Sequence, residues 1–324
     1  MTQSLPDIAH LIDRATGAME RARRAGADAV EATVRAVASS SIGVRLGALE
    51  DVERSEDSDL GLTVYIGQRS ASVSTADVSP DALDALVERA VAMARLAPEN
   101  PWAGLAPQDR LMRGPLPFLD LVDETGEPTP QALRDMALAA EDAARAVPGV
   151  TNSEGGSASA NSAAHALVTS HGFAQGYCAT GYSLSASVLA GDGADMQRDY
   201  AWASARYLHD LESAAQIGQR AGERAVARLH PAALRSGPMP VLFDPRVAGS
   251  LVGHLLSGMS GSAIARGNSY LLKHEGGRLF PAGFYIDDDP LRPRGLRSHA
   301  FDGEGLPTAA SALVDDGVIA PWMC

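Results

Sequence analysis

The chain has 324 residues and carries 27 Lys and Arg against 40 Asp and Glu, a formal net charge of −13. With 45% hydrophobic and 21% charged residues it is too apolar for a disordered chain, and its length suits about two domains. Such a charge repels phosphate backbones and anionic bilayers, and no basic patch offsets it, so direct nucleic-acid and membrane binding are not expected.

The segment from Pro6 to Ala25 reads as a helix, with Ile8, Leu11, Ile12 and Ala15 at helical spacing and Gly26 as its stop. Alternation follows, with Val30, Ala32, Val34 and Ala36 opposite Glu31, Thr33 and Arg35, which predicts a half-buried strand. Further strands are expected in Ser41–Arg54 and Gly61–Ser74, with the acidic Glu56–Asp59 stretch as a turn. Ser79-Pro80 opens a second helix, striped by Leu83, Leu86, Val87, Ala90 and Val91. Prolines between Pro98 and Pro117 mark a linker or domain crossing. Thr129-Pro130 then caps a third helix, Val150–Tyr207 is rich in strands, Gly and Ser, and Asp210 is expected to cap a helix running to Leu229. The unit of helix, antiparallel strands and helix thus occurs twice. Beyond Ser236-Gly237-Pro238, Met239–Phe243 reads as a short strand, and Asp244-Pro245 opens a helix with Val247, Leu251 and Leu255. The chain closes on the apolar Val318–Cys324, which implies a C-terminal sheet lacking a partner strand. Three regions follow from this pattern: 1–110, 111–235 and 236–324.

Catalytic and metal motifs are absent: there is no H-E-x-x-H, G-x-S-x-G, G-x-G-x-x-G or C-x-x-C. Two cysteines, Cys178 and Cys324, suit a reducing compartment and exclude a disulfide scaffold. No stretch of about eighteen apolar residues occurs and no secretory signal opens the chain, so a cytoplasmic protein is expected. Singly, His254 reads as a structural histidine, His171 as a residue at a glycine turn, and Asn152–Gly156 as a tight turn that could expose the Glu154 carboxylate.

Taken together, several segments resemble the TldD/PmbA family, and its PmbA (TldE) branch in particular. They are Gly61-Leu62-Thr63-Val64-Tyr65, Ser74–Pro80, Thr151–Gly156, Ser170-His171-Gly172, Gln175–Cys178, Met196–Ala201 and Phe301–Gly305, in family order. The resemblance implies an α+β, two-lobed fold of antiparallel sheets with flanking helices, its C-terminal domain incomplete because family chains continue beyond Trp322. It implies a non-catalytic subunit of a TldD–TldE zinc metallopeptidase acting on unfolded peptides, in peptide-antibiotic maturation or antitoxin turnover. The zinc helix of the TldD-like partner maps onto Gly249–His254, where Gly249 and Ser250 replace the first ligand and the general base and only His254 remains. No metal or other cofactor is therefore expected in this chain, the zinc being expected in the partner subunit. A peptide groove is expected around Asn152, Glu154, Gly155, Gly156, His171 and Tyr177. The alternative is a regulatory binding protein, a modulator of gyrase or of a toxin–antitoxin pair, without peptidase activity.

Overall fold

The computed structural model describes residues 7–320, 322 and 323. They divide into two compact units, Met1–Pro231 with Arg292–Thr308, and Ala232–Leu291 with Ala309–Cys324. The first unit is built on one antiparallel sheet. Its elements are α1 (Ile8–Arg24), β1 (Ala29–Arg45), β2 (Ala48–Ile66), β3 (Arg69–Thr75), α2 (Pro80–Leu96), α3 (Pro130–Arg145), β4 (Val150–Thr169), β5 (Ala174–Ala190), β6 (Gln197–Ala205) and α4 (Ala214–Ala227). The strand order β3-β2-β1-β4-β5-β6 is symmetric about the central pair β1–β4. The order helix, three strands, helix occurs twice, as the sequence pattern suggests, and the two copies meet back to back along Glu31↔Thr169 to Val44↔Gly156.

All four helices cover one face of this sheet. The even-numbered residues of β1 point towards them: Val30, Ala32 and Val34 are buried with α1 and α2, Ile42 and Val44 with α3 and α4. Two separate cores result, one at each end of the long strands. The caps explain where the helices start. Asp7 accepts from Ala9 N at 2.9 Å, Thr129 accepts from Ala132 N at 3.1 Å, and Ser213 with Gln216 forms a capping box for α4. The expected Asp210 cap is displaced, because Leu208–Asp210 forms a separate single turn.

The acidic Glu56–Asp59 stretch is not a turn. It lies in the middle of β2, a 19-residue strand whose first half is exposed and therefore tolerates charge on both faces. Asn152–Gly156 likewise lies inside β4, where the register shifts between Val150 and Asn152 and between Ser153 and Gly155. A Cβ at Gly155 would stand 2.3 Å from Val44 O, and one at Gly156 the same distance from Ala137 O. The two glycines let α3 and the end of β1 approach the strand backbone.

The second unit holds α5 (Pro245–Met259), the short α6 (Gly261–Ala265), and a small sheet of β7 (Ile286–Asp288), β8 (Ser311–Asp315) and β9 (Val318–Ile319), in that order. Its core is Leu255, Met259, Leu271, Val314 and Ile319. Met239–Phe243 forms no strand and Leu242 is fully exposed. An apolar run becomes a strand only where a neighbour supplies ladder bonds, and none does here among the described residues. The chain's last apolar segment does have partners, against expectation. Val318 and Ile319 pair with Asp315 and Val314, Met323 N donates to Met259 O at 3.0 Å, and Met323 O accepts from Gly261 N at 2.6 Å. Pro6, Pro321 and Cys324 lie outside the described residues.

Candidate functional site

The sheet face away from the helices is lined by short and polar side chains. Arg35, His165 and Tyr177 stand in register across β1, β4 and β5. The His165 and Tyr177 rings lie 5.7 Å apart. Phe301, from the Arg292–Thr308 segment, packs on Tyr177 at 5.7 Å and on Phe173 at 5.0 Å. Burial first, and then the Arg35 charge, holds the His165 imidazole below its usual range, so it stays neutral here. Burial raises the Tyr177 phenol. Neither group is poised as an ion at neutral pH.

Beside this patch lies a cavity of about 710 Å³ within the first unit, walled by residues 116–125 with Tyr177, Cys178, Tyr207, His209 and His299. Its wall is fixed by an ionic clamp. Arg294 bonds Asp120 at 2.6 Å and Asp210 at 2.8 Å, and lies 3.7 Å over the Tyr207 ring. The Tyr207 hydroxyl donates to Asp120 at 2.5 Å, which pushes the phenol up to about 12 and, together with Arg294, lowers the Asp120 carboxyl. Burial, and then the Asp7 charge, raises the Cys178 thiol above its ordinary value, which favours the protonated form. Sequence reasoning missed this clamp, since its members are 174 and 84 residues apart. The one local signal, Arg294 at φ 56 before Gly295, needs coordinates to be seen.

The groove candidates do not converge on one site. The Glu154 carboxylate faces Ser187 at 2.8 Å and Arg198 at 3.1 Å, at one end of the sheet. Asn152 Oδ1 accepts from Ser153 N beside it. Gly155 and Gly156 are spacers for α3. His171 is in the β4–β5 turn, and its Nδ1 donates to Ala106 O at 2.8 Å. Tyr177 pairs with His165, eleven residues along β4 from Glu154, or roughly 35 Å away at strand rise.

On α5, Gly249, Ser250 and His254 are all exposed. Ser250 Oγ donates to Val247 O at 2.6 Å, and the His254 carbonyl accepts from Tyr270 at 2.9 Å. One imidazole beside a glycine and a serine does not fit zinc, which takes three protein ligands and a water. Among the described residues no three His, Cys, Asp or Glu side chains converge on a common point.

Comparison with known proteins places this geometry. Residues 30–94 match PmbA/TldA metallopeptidase domain 1, 123–229 the central domain and 236–324 the C-terminal domain. The chain belongs to the PmbA/TldD family. It is 35% identical to Metalloprotease PmbA of Escherichia coli O157:H7 over 91% of this chain and 66% of that protein. It is 34% identical to the Haemophilus influenzae homologue over 94% of this chain and 67% of that one. The chain thus spans about two thirds of the length of these PmbA proteins. A candidate modulator of DNA gyrase from Bacteroides thetaiotaomicron superposes with a TM-score of 0.89 at 25% identity, covering 96% of this chain and 71% of that one. TldE from Thermococcus kodakarensis superposes at 0.79 with 18% identity, covering 96% and 69%. These likenesses establish the mixed helix and antiparallel-sheet fold of the PmbA/TldD family. They do not support the expected truncation of the C-terminal domain, because 236–324 matches that domain and its last strand is paired. Among the described residues no helix is long and apolar enough to cross a membrane.

Proposed function

We propose that the chain is the PmbA/TldE-type, metal-free subunit of a cytoplasmic two-subunit metallopeptidase, and that it presents unfolded peptide to a TldD-type subunit holding the zinc. The observation that carries the reading is α5, where Gly249 and Ser250 stand one turn before His254 and supply neither a ligand nor a base. A general base is needed to take the proton of a metal-bound water, and this helix offers none. The polar, Ser- and Gly-rich open face, with Asn152, Glu154 and Tyr177 along it, offers main-chain and small-side-chain contacts to an extended peptide of varied sequence. Direct work on DNA is disfavoured by the −13 charge. The test is co-expression with a TldD-type subunit, followed by metal analysis and cleavage of an unfolded peptide. The mixture is expected to bind zinc and cleave, while this chain alone does neither. Stoichiometric zinc held by this chain alone, or failure of the two chains to co-purify, overturns the reading.

A further inference from the structure

The two αβββα copies in the first unit treat equivalent strand edges differently. In the second copy β6 pairs with Tyr182–Ala190 only, so the first half of β5 would be left with an open edge. The molecule covers part of it at Thr180, whose N donates to Leu121 O at 2.9 Å and whose Oγ1 accepts from Asp123 N at 2.8 Å. In the first copy β3 pairs with Leu60–Ile66 only. The equivalent half of β2, Ala48–Asp59, pairs with β1 alone among the described residues. Tyr65 O accepts from Asp28 N, on the β1 side. Alternation along the strand therefore turns the main-chain groups of Val52, Arg54, Glu56 and Ser58 outward, away from β1.

We propose that this β2 edge takes an extended cationic peptide as an added strand. Charge selects the occupant. Between Glu50 and Asp59 the strand carries Glu50, Asp51, Glu53, Glu56, Asp57 and Asp59 against Arg54 alone. Glu53, Asp57 and Asp59 alternate onto the open face, where side chains of an added strand stand about 5 Å away. The same charge repels a second copy of this edge, which is how natural edges avoid self-pairing, and it repels anionic segments. The proposal deepens the peptide-handling reading and rests on it for the kind of occupant.

The test uses the full chain alone and a fluorescein-labelled ten-residue peptide of alternating Arg and Val, read by fluorescence anisotropy. Controls are the Glu/Val counterpart and the Arg/Val peptide N-methylated at alternate residues. The Arg/Val peptide is expected to bind, the two controls at least tenfold more weakly, with amide exchange slowed at 52–58. Val52→Pro removes one outward N–H at an edge position that tolerates proline, and Glu53→Lys with Asp57→Lys reverses the open-face charge. Each variant, checked for unchanged circular dichroism, is expected to weaken binding about tenfold, or 1.4 kcal/mol. No binding, equal binding of the Glu/Val peptide, binding unchanged in both variants, or exchange protection elsewhere on the chain overturns the proposal. Because no TldD-type subunit is present, these outcomes are independent of the co-purification and cleavage tests of the function itself.

Discussion

The two ends of the long sheet reach the same topology by different packing. At the α1/α2 end the helices rest on alanine, leucine and valine: Leu11, Ala15, Ala18 and Ala22 of α1 face Leu86, Val87, Ala90 and Ala94 of α2 over Val30, Ala32 and Leu62. At the α3/α4 end backbone meets backbone. A Cβ at Gly218 would lie 2.1 Å from Ala140 O, and one at Gly222 would lie 2.7 Å from Ala144 O. That closer end also buries a charge. The Glu141 side chain is fully buried on α3, and its carboxylate accepts from Leu46 N at 2.7 Å and Gly47 N at 2.9 Å. It thereby fixes the β1–β2 turn, whose residues Leu46 and Gly47 hold φ of 52 and 78. A repeated topology constrains the path of the chain and leaves the means of filling it open. Both copies fill their layer with apolar side chains, and the second adds close backbone approach between its helices and one satisfied carboxylate.

Substitutions on the helices of the two ends sharpen this contrast. Gly218→Val is expected to give the largest effect, about 3 kcal/mol or more lost in urea unfolding, because backbone rather than a flexible side chain blocks the new atoms. Glu141→Gln comes next, at about 1–2 kcal/mol, since an amide satisfies two converging N–H groups less well than a carboxylate. The pH dependence carries the same signature. Burial works to raise the Glu141 carboxyl, but hydrogen bonds from Ser153, Gly47 and Leu46, with Arg145 nearby, hold it below the ordinary range. With the folded value lowered, its stabilisation is present above the ordinary carboxylate pKa and is lost as pH falls through the folded one. Unfolding curves from neutral to acid pH should therefore be flatter for the Gln variant; parallel curves would show that Glu141 does not titrate as argued. Gly17→Ala on α1 is the smallest effect and of opposite sign. Only the far end of the Arg21 side chain lies near, at 3.3 Å, so helix propensity gains about 0.5–1 kcal/mol. A loss at Gly17 as large as that at Gly218 would dissolve the contrast.

The sequence carried the local half of this picture. The stripes of α1, α2 and α3, the helix starts at Ser79-Pro80 and Thr129-Pro130, and the alternation of β1 are written in spacings within one or two turns, although Ser79 makes no side-chain capping bond. The family segments gave the fold and the likeness to PmbA. What escaped was set by neighbours distant in sequence. Glu56–Asp59 resembles a turn by composition, and only the extension of β1 beside it makes it a strand. Met239–Phe243 resembles a strand and has no ladder partner. Glu141 lies on the apolar stripe of α3 by spacing, and only the β1–β2 turn above it supplies the N–H groups that its carboxylate needs. The clamp of Arg294, Asp120, Tyr207 and Asp210 joins segments whose proximity no local pattern encodes.

The placement of Arg292–Thr308 in the first unit also bears on how the chain comes to be folded during synthesis. The sheet strands and all four of its helices have been made by residue 227, so the first unit can assemble while the rest is still being translated. The second unit is not one continuous piece of chain, because its strand Ser311–Asp315 is made only after the 17-residue stretch that belongs to the first unit and is clamped there through Arg294. Loop closure over such distances slows folding more than it lowers stability. The second unit's sheet can therefore close only late, once the chain has been made past the stretch that the first unit claims.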